Sequence, residues 1–120
     1  MTARIVNEVL HCPLVLIDEL MECNLSAWQG AVGGARYDDW AGGAVPPGGE
    51  YYPAFLARSL AGITKALAHP GPVLIVAHGG VYWAVQRHAT YDEHDVPNGV
   101  PVHHNPPNGE RTTWRTSVLE

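Results

Sequence analysis

The sequence predicts an α/β fold whose sheet is mostly parallel with an antiparallel edge. Three observations carry this. Stretches of helical spacing alternate with short apolar runs, the run at 73–77 leads through His78-Gly79-Gly80 into another helical stretch, and the last two strand-like segments flank a Pro-Pro-Asn-Gly turn. With 46% hydrophobic and 16% charged residues, the 120-residue chain has the apolar content of one folded domain, 1–120, and not that of a disordered segment.

Each element follows from its pattern. Ala3, Ile5, Val6, Val9 and Leu10 recur at helical spacing, so residues 2–10 are expected as an amphipathic helix. The compact apolar run Leu14 to Ile17 reads as a short strand. Residues 26–49 hold many of the glycines and the Pro46-Pro47 pair, and are expected to be irregular; a connection of that length inside a domain is usually functional or mobile. From Glu50 the helical period returns, with Tyr52, Leu56, Leu60, Ile63 and Leu67 on one face and His69-Pro70-Gly71 as the stop. Strand 73–77 follows, then a helix from about Val81 to His88. Turn-rich residues 91–99 lead to Val100, Val102 and His104 on one side of a strand. Asn105 to Glu110 forms a hairpin loop, and Trp114 to Leu119 is the closing strand.

Charge narrows the partners. Seven basic residues against twelve acidic ones leave a net charge of −5, with no basic stripe to follow a nucleic-acid backbone. No apolar run reaches the length of a membrane span, and the start of the chain lacks the pattern of a secretion signal, so a cytoplasmic protein without membrane contact is expected. On that basis Cys12 and Cys23 are expected to be free, buried thiols. His103 and His104 are adjacent and point to opposite faces of a strand, and His88 with His94 lacks a completing Cys or carboxylate, so no metal is expected and no cofactor is implied.

The chemistry concentrates at residues 78–80. In sheets of this class, ligands sit beyond the carboxyl ends of strands, where the next helix directs free N–H groups outward. Gly79 and Gly80 leave the backbone open to an anion, and the His78 imidazole supplies a donor or, when charged, a cation. Phosphate, or a small phosphate ester, is the ligand this suits. The same residues also suit a plain strand end in which His78 bonds a neighbouring carbonyl.

Other stretches bear on that choice. L-M-E-C-N-L-S-A-W-Q-G (20–30), P-P-G-G-E (46–50), Arg58, V-L-I-V-A-H-G-G-V (73–81) and V-P-N-G (96–99), in this order, resemble the histidine phosphatase superfamily, the phosphoglycerate mutase-like phosphatases and mutases. The resemblance implies a three-layer α/β sandwich. It implies that His78 is the second histidine of the phosphate pocket, stabilising charge on the transferring phosphoryl group, and that the Gly79 N–H helps hold its oxygens. It also implies that Glu22, aligned through Trp28 and Gly30, is the general acid that protonates the leaving oxygen. The sequence departs from the family pattern at Ser26, where a glycine is usual, and at Gln29, where a glutamate is.

The larger departure is at the start. Family chains open with a strand bearing Arg-His-Gly, whose histidine is the nucleophile, then a second strand and a helix with a further arginine; Thr2 to Val6 resembles only the tail of that helix. His11-Cys12 does not replace it, because a cysteine phosphatase needs an arginine six positions after the cysteine, where Asp18 stands and repels phosphate. The expectation is a truncated domain that keeps part of a phosphate pocket and lacks phosphoryl transfer of its own, or else a non-catalytic self-association or protein-binding module in which the pocket residues are relics. In the resembled fold strand 73–77 lies between the two missing strands. Its bare edges predict a homodimer or higher oligomer.

Overall fold

The computed structural model describes residues 1–30, 35–89 and 97–119, which fall into two compact units, Met1–Val81 and Tyr82–Glu120. Expected features at 31–34 and 90–96, His94 and most of the turn-rich stretch among them, lie outside the described residues.

The first unit opens with helix α1 (Thr2–Leu10), which forms where the apolar spacing predicts it. It ends at His11 in the left-handed region, φ 50°, ψ 38°, whose N–H reaches Asn7 O. The Asn7 carboxamide then grips Cys12, accepting its N–H at 3.0 Å and donating to its carbonyl at 2.9 Å, and Pro13 prevents the helix from resuming. No residue of α1 is buried. Cys12 is exposed, against expectation, because this grip holds it on the surface; Cys23 is buried.

Residues 14–17 and 73–77 are not strands: they form no ladder hydrogen bonds among the described residues. Both expected strands are therefore corrected. A run of branched apolar residues favours an extended backbone, but a strand exists only when a neighbour accepts and donates along it, and that neighbour is non-local. Leu16 and Leu74 consequently remain 75% and 54% exposed. No parallel pair occurs among the described residues.

Two single 3₁₀ turns follow, Asp18–Leu20 and Ser26–Trp28. Helix α2 (Ala35–Ala41) then interrupts the segment expected to be irregular. Its anchor is Trp40, fully buried, whose ring packs on Tyr52 at 5.2 Å and Phe55 at 5.3 Å between centroids while Nε1 donates to Glu50 O at 2.7 Å. Gly42 and Gly43, the latter at φ 109°, end it.

Helix α3 (Tyr52–Leu67) has Pro53 in its first turn, where the missing N–H costs nothing. Its buried line is Phe55, Ser59, Gly62 and Ala66, one position round from the expected face. The larger Leu56, Leu60 and Ile63 are only half-buried, because α3 turns its small-residue side to the 18–20 turn: a Cβ on Gly62 would stand 2.8 Å from Leu20 Cδ2. Ser59 Oγ is buried without a partner among the described residues. Ser59→Ala is therefore expected to raise the urea midpoint, since it removes a desolvated hydroxyl costing about 1–3 kcal/mol and improves helix propensity. A lower midpoint would contradict this account of the α3 interface.

Helix α4 (Gly79–His88) begins two residues earlier than expected and ends with Arg87 and His88 at its negative pole. In the second unit, β1 (Val102–Asn105) and β2 (Arg115–Val118) pair antiparallel with Val102 opposite Val118 and Asn105 opposite Arg115, as the hairpin signal predicts. Asn108 makes the turn, its Oδ1 accepting the N–H groups of Glu110 at 3.0 Å and Arg111 at 2.9 Å. Among the described residues no helix is long and apolar enough to cross a membrane.

His104 on β1 lies 5.7 Å from the Tyr82 ring, and burial, followed by the neighbouring His103, holds its imidazole below the ordinary histidine value. The unfolded chain then binds this proton more readily than the folded one, so stability is full above the ordinary value and falls as pH drops through it toward the depressed one. Urea midpoints are expected to fall between about pH 7.5 and about pH 5.5, and to fall less in His104→Gln. Equal pH dependence in the two proteins would refute this.

Candidate functional site

Two stretches distant in sequence meet where α4 begins. His78 O accepts the Val81 N–H at 3.2 Å, which closes the first turn, and the two residues between them carry no side chain. A Cβ on Gly79 would meet nothing within 4 Å, so its backbone faces open space. Gly80 is buried against Glu22. Its N–H donates to Glu22 Oε2 at 3.2 Å across 58 residues of chain, and a Cβ there would stand 3.1 Å from Glu22 Cδ and overlap Oε1. Glu22 Oε1 accepts the Cys23 N–H at 2.9 Å. A carboxylate at the positive end of a helix is favourably placed.

The structure thus brings Glu22 to the turn that carries His78 and Gly79. The His78 side chain is exposed and has no hydrogen bond, ion pair or ring contact among the described residues. Pro97 and Gly99 form a turn closed by Val100 N–H to Pro97 O at 3.2 Å, while Val96 lies outside the described residues. Among the described residues no three His, Cys, Asp or Glu side chains cluster as a metal would require.

The loop bearing Glu22 is held by Arg58 on α3. Arg58 Nε and Nη2 bind Glu50 Oε1 and Oε2 at 2.7 and 2.9 Å, Nη1 donates to Glu19 O at 2.9 Å and Met21 O at 2.6 Å, and Nη2 donates also to Glu22 O at 3.1 Å. The Arg58 hydrogen bonds hold the Glu50 carboxyl below the usual carboxylate range, and Glu50 in turn raises Arg58. Glu50 N–H to Asn24 O at 2.7 Å ties the far side of the loop. Lys65 pairs with Glu19 at its outer edge.

A comparison with known protein families matches residues 1–112 to the histidine phosphatase superfamily, branch 1. This chain belongs to the histidine phosphatase superfamily. Searches of curated proteins and of solved structures find no match.

The histidine phosphatase match takes in Glu22, Glu50, Arg58, His78 and Gly79. In chemical terms the turn offers an exposed imidazole and a backbone open to an anion, with a carboxylate fixed beside it. Glu50 and the part played by Arg58 were not singled out by sequence reasoning as site features. Their signal was an arginine among apolar α3 residues following P-G-G-E.

The same carboxylate shapes Cys23. Burial, then the Glu22 charge, pushes its thiol up to about 11, and burial raises Tyr37 alongside it. Since only the thiolate is nucleophilic, iodoacetamide near neutral pH is expected to label exposed Cys12 and leave Cys23 unlabelled until denaturant is added. Equal labelling of both in the native protein would show that Cys23 is not enclosed as described.

Proposed function

We propose that this chain is a histidine phosphatase domain that keeps part of a phosphate pocket, formed by His78, Gly79 and Glu22, and binds inorganic phosphate or a small phosphate ester without transferring the phosphoryl group on its own. The meeting of the Glu22 carboxylate with the His78-Gly79-Gly80 turn carries this reading. In it, the His78 imidazole and Gly79 N–H receive phosphoryl oxygens, and Glu22 faces the ester oxygen that would leave. Covalent transfer needs a nucleophile set against the phosphorus, and the 120 residues contain no Arg-His-Gly.

Phosphate titration followed by amide NMR tests the pocket: the Gly79 resonance is expected to move, and to move much less in His78→Ala. No movement at residues 78–80 would overturn the reading. Hydrolysis of p-nitrophenyl phosphate tests the second half. Turnover above a His78→Ala control would show that the chain transfers phosphoryl groups after all.

A second reading, self-association in the cytoplasm, is favoured by one observation. The apolar segments around Leu16 and Leu74 are exposed and unladdered among the described residues, and exposed apolar segments of strand character pair with other chains. Homo-oligomerisation through strand pairing is the expected form, and light scattering that finds a stable monomer at micromolar concentration would exclude it.

A further inference from the structure

We infer that Arg58 is a positioning residue for Glu22: by fixing the peptide plane that joins residues 22 and 23, its guanidinium sets where the Glu22 carboxylate sits against Gly80. The inference rests on the phosphate-pocket reading only for its functional meaning; the geometry stands by itself.

One planar group, the 22–23 peptide, connects the Arg58 guanidinium to the Glu22 carboxylate. Arg58 makes five hydrogen bonds, two to Glu50 and three to the carbonyls of Glu19, Met21 and Glu22. Three carbonyls within four residues aim at one guanidinium because the 18–20 turn passes into extended backbone at Met21, φ −63°, ψ 146°. Of these, the Glu22 carbonyl matters most. The peptide bond is planar and trans, so its C=O and the following N–H point in opposite directions. With Glu22 O held by Arg58 Nη2 at 3.1 Å, the Cys23 N–H is directed away from Arg58, and there it donates to Glu22 Oε1 at 2.9 Å. The second oxygen is then left for the Gly80 N–H at 3.2 Å.

Only a fork of fixed shape meets these demands together. Glu50 takes two donors in a bidentate pair and orients the guanidinium plane, leaving the remaining donors for the carbonyls. A lysine ammonium carries the same charge but has three donors radiating from one atom, and cannot span Glu50 and the separate carbonyls. Retaining the charge without the fork therefore releases the 22–23 plane.

The test is a pH titration of the amide resonances of Cys23 and Gly80, which report the Glu22 carboxylate they contact. In the unsubstituted protein both are expected to move together as Glu22 titrates. In Arg58→Lys that shared response is expected to be lost while the α3 resonances stay dispersed. A folded Arg58→Lys protein with the response intact overturns the inference. If the variant does not fold, the unsubstituted protein still decides: separate Arg58 Nη resonances are expected from a guanidinium held on both sides, and one averaged resonance refutes the grip. Inorganic phosphate distinguishes the two readings. A Gly79 amide unmoved by phosphate in the unsubstituted protein removes the pocket and leaves Arg58's hold on Glu22 standing, whereas an unchanged Cys23–Gly80 response in Arg58→Lys removes the positioning role and leaves the pocket standing.

Discussion

Trp40→Ala is expected to destabilise the first unit by about 3–5 kcal/mol, in the range for a truncated buried aromatic. Trp40 is fully buried and is the centre on which Tyr37, Tyr52 and Phe55 converge, at 6.2, 5.2 and 5.3 Å. The loss has a second part. Without the indole, Glu50 O forfeits the donor now 2.7 Å away, and Glu50 is the residue that orients Arg58. The damage is therefore expected to spread from the aromatic cluster to residues 19–24, some way along the chain from Trp40. Urea denaturation with Trp40→Phe as the comparison checks it: phenylalanine keeps most of the packing and loses the N–H, so its cost is expected to be smaller. A Trp40→Ala protein within about 1 kcal/mol of the original would mean that α2 is not docked as described.

The extent to which sequence revealed the fold follows from how local each signal is. Helix α1 and the β1–β2 hairpin were legible because helical spacing and an Asn-Gly turn act over a few residues. Helix α2 was hidden by composition: glycines on both sides make its segment read as loop, while the force that orders it comes from Tyr52 and Phe55 on another helix. The α3 face was displaced by one position because Leu56 and Leu60 are more apolar than Ser59 and Gly62, yet close approach of the 18–20 turn requires the small side. Segments 14–17 and 73–77 read as strands, and they are unpaired among the described residues, since pairing depends on a neighbour that the segment itself does not encode.

The site divides in the same way. His78-Gly79-Gly80 stood out by its own chemistry, whereas Glu22 beside Asp18 and Glu19 was one acidic residue among several until the family resemblance selected it. The resemblance also picked out P-G-G-E and Arg58, but not the backbone carbonyls that the Arg58 clamp holds. Three of its five acceptors are backbone carbonyls, which every residue possesses, 36 to 39 positions away in the chain. A search for paired charges finds Glu50 and Arg58, but it does not find what they hold.

Gly80→Ala addresses that held group directly. Gly80 is not among the glycines at positive φ, so alanine suits its backbone and brings a helix-propensity gain of about 1 kcal/mol. Its Cβ, however, would overlap Glu22 Oε1 and stand 3.1 Å from Cδ. One of the two must move, and the atoms met are the far end of a flexible side chain, so Glu22 is expected to swing away and lose the Gly80 N–H. Overpacking of this kind costs about 1–3 kcal/mol, which makes the net change in stability small or moderately unfavourable. The larger consequence is chemical. Cys23, now pushed up to about 11 by burial first and the Glu22 charge second, loses the second cause and keeps the first. Its thiol is expected to ionise at lower pH than in the unsubstituted protein while remaining above an ordinary cysteine, and the pH profile of its alkylation, with Cys12 replaced by serine, reads this out. An unshifted Cys23 profile in a folded Gly80→Ala protein would mean that the carboxylate does not occupy the start of α4, and the proposed phosphate pocket would lose its proposed acid along with it.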